Sequence, residues 1–135
     1  MIDTTALTDS EAIVLAGYDA FGRGDMEALG RMFLPDCTWT HRNAGRLGGT
    51  KHGFAAILAF FAESVELSAG SLRVEPESTV GRAGTVAVFV HMSGSRPDGR
   101  ALDDHQVHVF QLDGDRVMSV DQYIGDPAAV EAFWA

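Results

Sequence analysis

In the segment 100–112, Asp104, Gln106 and His108 sit among Leu102, Val107, Val109, Phe110 and Leu112, residues that otherwise read as buried β-strand. Strand side chains alternate between faces, so Asp104, Gln106, His108 and Phe110 share one face while His105, Val107, Val109 and Gln111 share the other. An acid, an amide and an imidazole in a row do not suit an apolar core, because each unsatisfied buried polar group costs roughly 1–3 kcal/mol. A polar cavity accounts for the pattern. His41 ends a short aromatic stretch, precedes a glycine-rich run, and exchanges protons near neutral pH without special tuning. The expected chemistry is proton transfer: His41 as base, Asp104 as its partner, and Gln106 and His108 holding a carbonyl or hydroxyl oxygen, all four converging on one void.

Other reactive residues read more plainly. His91 belongs to the preceding strand and can face either His105 or His108, but those two are three apart and on opposite faces, so no metal is expected, nor any other cofactor. Cys37 has no cationic neighbour in sequence and reads as a packed small hydrophobe. The Gly48-Gly49 run lacks the Gly-Lys-Ser/Thr ending of a phosphate loop. Trp39, Phe60, Phe89, Phe110 and Tyr123 read as pocket wall and core.

The elements that must position these groups are marked by caps and periodicity. Thr8-Asp9-Ser10-Glu11 has the form of a capping box, with apolar residues following at helical spacing, and predicts a helix over 10–22 ended by Gly22-Arg23-Gly24. Asp25 caps a second, shorter helix carrying Met26, Leu29, Met32 and Phe33 and stopped by Pro35. A short strand over 37–41 and a glycine-rich loop over 43–53 come next. Phe54, Ile57, Leu58, Phe61 and Val65 then give the clearest helical stripe, over 54–67, which must be covered. After Gly70 the period becomes two, with strands over 71–78, 85–93, 100–112 and 116–124 joined by tight turns. Asp126-Pro127 starts a terminal helix through Trp134. Helices first and an antiparallel meander last predict an α+β fold, a curved sheet wrapped around the helices.

One domain over 8–135 is expected, with 1–7 as a loosely held lead-in. Nineteen acids against ten bases give a net charge of −9, with a pI near 4.8, and the bases form no cluster. That field disfavours nucleic acid and anionic membrane surfaces as partners. No stretch reaches the ~18 apolar residues of a bilayer crossing, and no secretory leader is recognisable. With a single cysteine, a cytoplasmic location is expected.

The order of elements, together with 22–29 (Gly22-Arg23-Gly24-Asp25-Met26-Glu27-Ala28-Leu29), 33–39 (Phe33-Leu34-Pro35-Asp36-Cys37-Thr38-Trp39) and the hairpin 113–123, resembles the nuclear transport factor 2-like superfamily. Within it the chain is similar to the SnoaL-like polyketide cyclases and ketosteroid isomerase relatives. The resemblance implies a cone-shaped, cystatin-like α-β roll with an internal ligand pocket and homodimers through the outer sheet face, where Val107 and Val109 or Val117 and Val120 would point outward. It places the isomerase general base on His41, the oxyanion-side acid on Gln106, and the tyrosine of the first helix on Gly17, beside Tyr18. The cyclase acid falls on Gln122, with Asp121 adjacent on the opposite face. Tyr18, Trp39, Phe61, Phe89, Phe110 and Gln122 are the expected substrate contacts. The implied function is a cofactor-independent isomerase, cyclase or lyase acting on an apolar, polycyclic or terpenoid-like substrate. An epoxide-type hydrolase using Asp104 and Asp121 and a non-catalytic binding or dimerisation module are the alternatives.

Overall fold

In a computed structural model that describes residues 7–135, the chain forms an α+β fold of four helices and one curved six-stranded sheet. The proposed lead-in over 1–7 lies, apart from Leu7, outside the described residues. Helix α1 (Asp9–Arg23) starts on the capping box: the Thr8 hydroxyl accepts from the Glu11 N–H, and the Glu11 carboxylate accepts from the Thr8 N–H. It ends at Gly24, whose φ of 70° is a left-handed conformation that glycine adopts without cost. Helix α2 (Met26–Met32) is capped by Asp25, which accepts from the Ala28 N–H. Strands β1 (Phe33–Arg42) and β2 (Gly49–His52) precede helix α3 (Phe54–Leu67). Strands β3 (Arg73–Arg82), β4 (Thr85–Ser95), β5 (Ala101–Asp113) and β6 (Arg116–Tyr123) lead to helix α4 (Pro127–Trp134).

The sheet order is β2-β1-β6-β5-β4-β3, and three of its features depart from the sequence reading. Strand β1 begins at Phe33 and carries Pro35 within it, because Phe33 pairs with Val117 and its carbonyl accepts from Arg116 Nη2 at 2.6 Å. Proline is tolerated there since the register is irregular between Phe33 and Thr38. The expected loop over 43–53 contains β2, which pairs antiparallel with β1 and sets Lys51 beside Trp39 and Gly49 beside His41. The meander is antiparallel as expected, but β1 joins β6 in parallel, placing His41 beside Gln122.

Helix α3 packs against the sheet through Ile57, Phe60, Phe61 and Ser64. Val65 was expected within that stripe and is instead 41% exposed, because a 3.6-residue period running through 57, 60, 61, 64 and 68 leaves position 65 on the flank. Strand β5 alternates strictly: Leu102, Asp104, Gln106, His108, Phe110 and Leu112 are all buried. On β4 the buried residues are Val86, Val88, Val90 and Met92, so Phe89 points outward at 43% exposure, against the expectation that it lines the pocket. Cross-strand register aligns Phe89 with Val107 and Val107 with Tyr123, making an apolar row on the outer face. Val107 and Val109 belong to that outer face, whereas Val117 and Val120 are buried. Among the described residues no helix is long and apolar enough to cross a membrane.

Helix α4 closes one end of the roll. Arg96 and Arg100 donate from Nη1 to the carbonyls of Phe133 and Ala135, satisfying the open end of the helix where its dipole is negative. The turn leading into it is tight: a Cβ on Gly125 would lie 2.3 Å from the His105 carbonyl oxygen and 2.7 Å from Asp104 Oδ1. Backbone cannot yield to that contact, so Gly125→Ala is expected to lower unfolding free energy by about 2 kcal/mol or more. Urea denaturation checks this; an unchanged midpoint would mean that the turn is looser than described.

Candidate active site

Between the inner sheet face and helices α1 and α3 lies a cavity of about 70 Å³. Its wall is mostly apolar and rich in aromatic rings. Trp39 stands at the centre, with ring centroids 5.1 Å from Phe61, 6.1 Å from Phe60, 5.9 Å from His108 and 6.2 Å from Phe110. His41, Tyr18, His108 and Gln122 supply its principal polar groups. Phe21, Phe61, Leu72 and Val74 border both this cavity and an open surface cleft, so these four side chains are the partition between interior and solvent.

Behind the polar wall runs a chain of hydrogen bonds whose direction is determined at both ends. The indole of Trp39 can only donate, and Nε1 reaches Gln122 Oε1 at 2.9 Å. Gln122 must therefore present its Nε2 to Gln106 Oε1, at 2.8 Å. At the other end, Asp104 accepts from the backbone N–H of Gly125 at 3.1 Å and of Asp126 at 2.9 Å, and from Gln106 Nε2 at 3.0 Å. Gln106 thus has an oxygen, not a nitrogen, facing His108, and His108 donates to it from Nε2 at 3.0 Å. The remaining nitrogen, Nδ1, accepts from the Tyr18 hydroxyl at 2.7 Å.

Electrostatics agrees with this assignment. Burial, reinforced by nearby His41, pushes His108 from the ordinary 6.5 down to about 3, so it is the neutral imidazole the network requires. Burial holds the Tyr18 hydroxyl well above its usual 10, keeping its proton. His41 differs from every other polar group here: its Nδ1 is buried with no hydrogen-bond partner. Desolvation, with a contribution from the Lys51 ammonium, lowers it to about 4. Lys51 is held in place by the carbonyls of Leu47 at 2.5 Å and Gly48 at 2.8 Å, and lies 4.8 Å from the Phe60 ring centre.

Several expectations are corrected by this geometry. His41, His108 and Gln122 border the cavity, but Gln106 stands one hydrogen bond behind it and Asp104 two. Asp104 is not a partner of His41; its oxygens are taken up by the turn before α4 and by Gln106. His108 has both nitrogens occupied, leaving neither for a substrate. Gln122, not Asp121, faces inward, and Asp121 is on the outer face accepting from Arg42 at 2.6 Å. Tyr18, Trp39, Phe61 and Phe110, expected as substrate contacts, line the cavity, whereas Phe89 does not. Gly17 does not carry the role of a tyrosine: its missing Cβ leaves room for the Met32 thioether. Lys51 was overlooked as a neighbour of His41. The alternation Gly49, Lys51 against His41, Trp39 was the available signal, hidden by the glycines around it. Cys37 is buried and free, and desolvation raises its thiol, as befits an inert packing residue.

Two stability outcomes follow. Asp104→Ala is expected to cost about 2–3 kcal/mol, since it orphans two backbone N–H groups and the Gln106 amide; thermal or urea unfolding measures it. Acid sensitivity should come from the two buried imidazoles. Their folded pKa values, about 4 and about 3, lie below the unfolded value, so the stability they contribute is present above pH 6.5 and is lost as pH falls toward 4 and then 3. Each histidine adds a slope approaching ~1.4 kcal/mol per pH unit in that window. His108→Gln should make the dependence shallower by one proton, and an unchanged slope would count against a buried neutral His108.

The sequence profile of the SnoaL-like domain family matches residues 14–120. An uncharacterized protein of Mycobacterium tuberculosis is 25% identical over 123 residues, covering 91% of this chain and 94% of that protein. Among solved structures, Bal32a from a soil-derived mobile gene cassette superposes with a TM-score of 0.89 at 25% identity, over 95% of this chain and all (100%) of that one. A nuclear transport factor 2-like protein from Burkholderia xenovorans LB400 gives 0.81 at 25% identity, over 94% of this chain and 96% of that one. With the curved sheet, the internal cavity and a family match spanning most of its length, the chain belongs to the SnoaL-like domain family.

Proposed function

We propose that the protein is a cofactor-independent enzyme that moves a proton on a small apolar substrate, with His41 as the base. The observation that carries this reading is the His41 Nδ1 atom, buried and unpartnered beside a largely apolar cavity. Other polar groups are committed to one another; this nitrogen is not. A substrate would lay its apolar body against Trp39, Phe60, Phe61 and Phe110. Its oxygen would meet the second N–H of Gln122, whose acceptor is a thioether, Met92 Sδ at 3.7 Å, and the Tyr18 hydroxyl if it turns from His108. Gln106 and His108 then serve as positioning residues for those two donors. Because His41 is a weak base, the proton it takes must come from an acidified carbon or hydroxyl, with the resulting anion stabilising the imidazolium.

Size bears on the substrate. At about 70 Å³ the cavity is half of the ~150 Å³ that accepts benzene. A polycyclic substrate would need Phe21 and Phe61 to swing aside and join the cavity to the cleft. An epoxide-type hydrolase is disfavoured, since no carboxylate borders the cavity among the described residues. A binding module is the second reading, supported by the low basicity of His41. In either case the outer row of Phe89, Val107 and Tyr123 suits a homodimer contact.

Deuterium incorporation from D2O into a panel of small enolisable aromatic and alicyclic ketones, followed by NMR, tests the enzyme reading. His41→Ala is expected to lower exchange by ~100-fold or more. In the unaltered protein kcat/KM should be flat from pH 6 to 8, because His41 is already neutral, and should fall as pH drops through about 4. Ketones that bind equally well to both proteins without exchange would establish the binding module instead.

A further inference from the structure

On the outer face of the sheet, away from the cavity, three adjacent strands gather four groups of metal-binding chemistry. His91 of β4 and His105 of β5 are directly opposed residues, and their rings stack with centroids 4.6 Å apart and planes 11° from parallel. Asp103 lies two residues before His105 and so on the same face; its Oδ1 is 2.5 Å from His91 Nε2. One ligand atom from each of His91, Asp103 and His105 falls within 4.8 Å of the others. Glu77 adds a second carboxylate, with Oε1 3.2 Å from His105 Nδ1. It is the extra residue where the β3 register shifts between Pro76 and Ser78, so the bulge aims it at its neighbours.

We propose that His91, Asp103 and His105 form a surface site for a zinc-type transition-metal dication, with Glu77 accepting from His105 Nδ1 to orient that ring. Bonds of roughly 2.0–2.2 Å require tetrahedral ligand atoms to stand roughly 3.3–3.6 Å apart. Closing the present spacing takes about 1 Å, shared among side chains whose outward faces are free to change rotamer. The backbone supplies what such a site needs most, because directly opposed strand positions bring the two imidazoles together and leave only side-chain rotamers to be fixed. Two nitrogens and a carboxylate suit zinc or its neighbours and not magnesium or calcium, which take oxygen ligands. A carboxylate on the second nitrogen of a ligating histidine is the usual support of such a ring. A dication also offsets part of the net charge of −9. The site is independent of the cavity: it shares no residue with it and lies on the opposite face.

Isothermal titration of the tag-free, chelator-dialysed protein with zinc chloride tests the assignment. One ion per chain is expected, with Kd tighter than about 100 µM. Loss of an outer-shell partner alone typically weakens metal binding ~10–100-fold, so His91→Ala and His105→Ala should each weaken it by at least ~10-fold. His52→Ala, an exposed histidine on β2, should leave it unchanged. Cobalt(II) should give the visible absorption of a four-coordinate site in the unaltered protein and lose it in His105→Ala. Circular dichroism confirms that the exposed-site variants are folded. No saturable binding below about 1 mM, or binding undiminished in His105→Ala, would overturn the proposal. Ketone exchange at the cavity is expected to be the same in both histidine variants, which separates this site from the proposed active site.

Discussion

The carboxyl of Asp104 is the group on which the interior depends. It accepts from two backbone amides of the turn before α4 and from Gln106, and through Gln106 it dictates the orientation of His108 and Gln122. Opposed to it, the Trp39 indole can only donate. Between an obligate donor and an acceptor already filled by backbone N–H groups, neither glutamine can flip without leaving two like groups face to face, each buried and unsatisfied. The network therefore selects one tautomer of His108 and one direction for the Tyr18 hydroxyl. It also ties α4 to the sheet, since the N–H groups of Gly125 and Asp126 belong to the segment that delivers Phe133 and Trp134 to the closed end of the roll.

A network satisfied within itself makes the cavity beside it unusual in what it leaves over. Most polar atoms that would otherwise solvate a ligand are already paired, the Gln122 N–H on the Met92 thioether being the weakest of these bonds, and the aromatic rings around Trp39 offer dispersion. Against that background one unpartnered imidazole nitrogen has a chemical weight it would lack in water. The same desolvation that keeps His41 neutral makes it a reluctant base, and Lys51 on the neighbouring strand acts in the same direction. The proposed proton transfer would depend on a substrate that brings its own acidity, or a developing negative charge able to pair with the imidazolium. This physical condition narrows the chemistry more than the fold does, because the fold hosts many reactions.

The two faces of the sheet carry unrelated chemistry, divided by the two-residue period of the strands. On β5 that division was legible, since Asp104, Gln106, His108 and Phe110 alternate with His105, Val107, Val109 and Gln111 and follow the strand period without a break. On β4 it was not: Val86, Ala87, Val88, Phe89 and Val90 are apolar on both sides, and nothing local distinguishes a core valine from the outward Phe89. Helix α3 presents the same difficulty in another form. Its apolar residues outnumber those one face can bury, so periodicity allowed either Val65 or Ser64 on the inner side, and packing against the sheet chose Ser64.

Local signals determined where the helices start and where the turns fall. The Thr8 to Glu11 capping box, the Asp25 cap, Asp126-Pro127 and the inward row of β5 each need only neighbours in sequence, and each appears where the residues placed it. The meetings that make a site were decided by tertiary structure. His41 lies beside Gln122 because β1 and β6 pair in parallel across 81 residues; the Lys51 charge acts on His41 because a glycine-rich stretch forms a strand beside β1. Asp104 binds a turn more than 20 residues away, so a residue of catalytic type became a structural one. His91 faces His105 and not His108 because β4 and β5 align them on the outer surface. Periodicity specifies which way a side chain points, but which group it meets depends on strand register, and register is settled only when the whole sheet closes on its core.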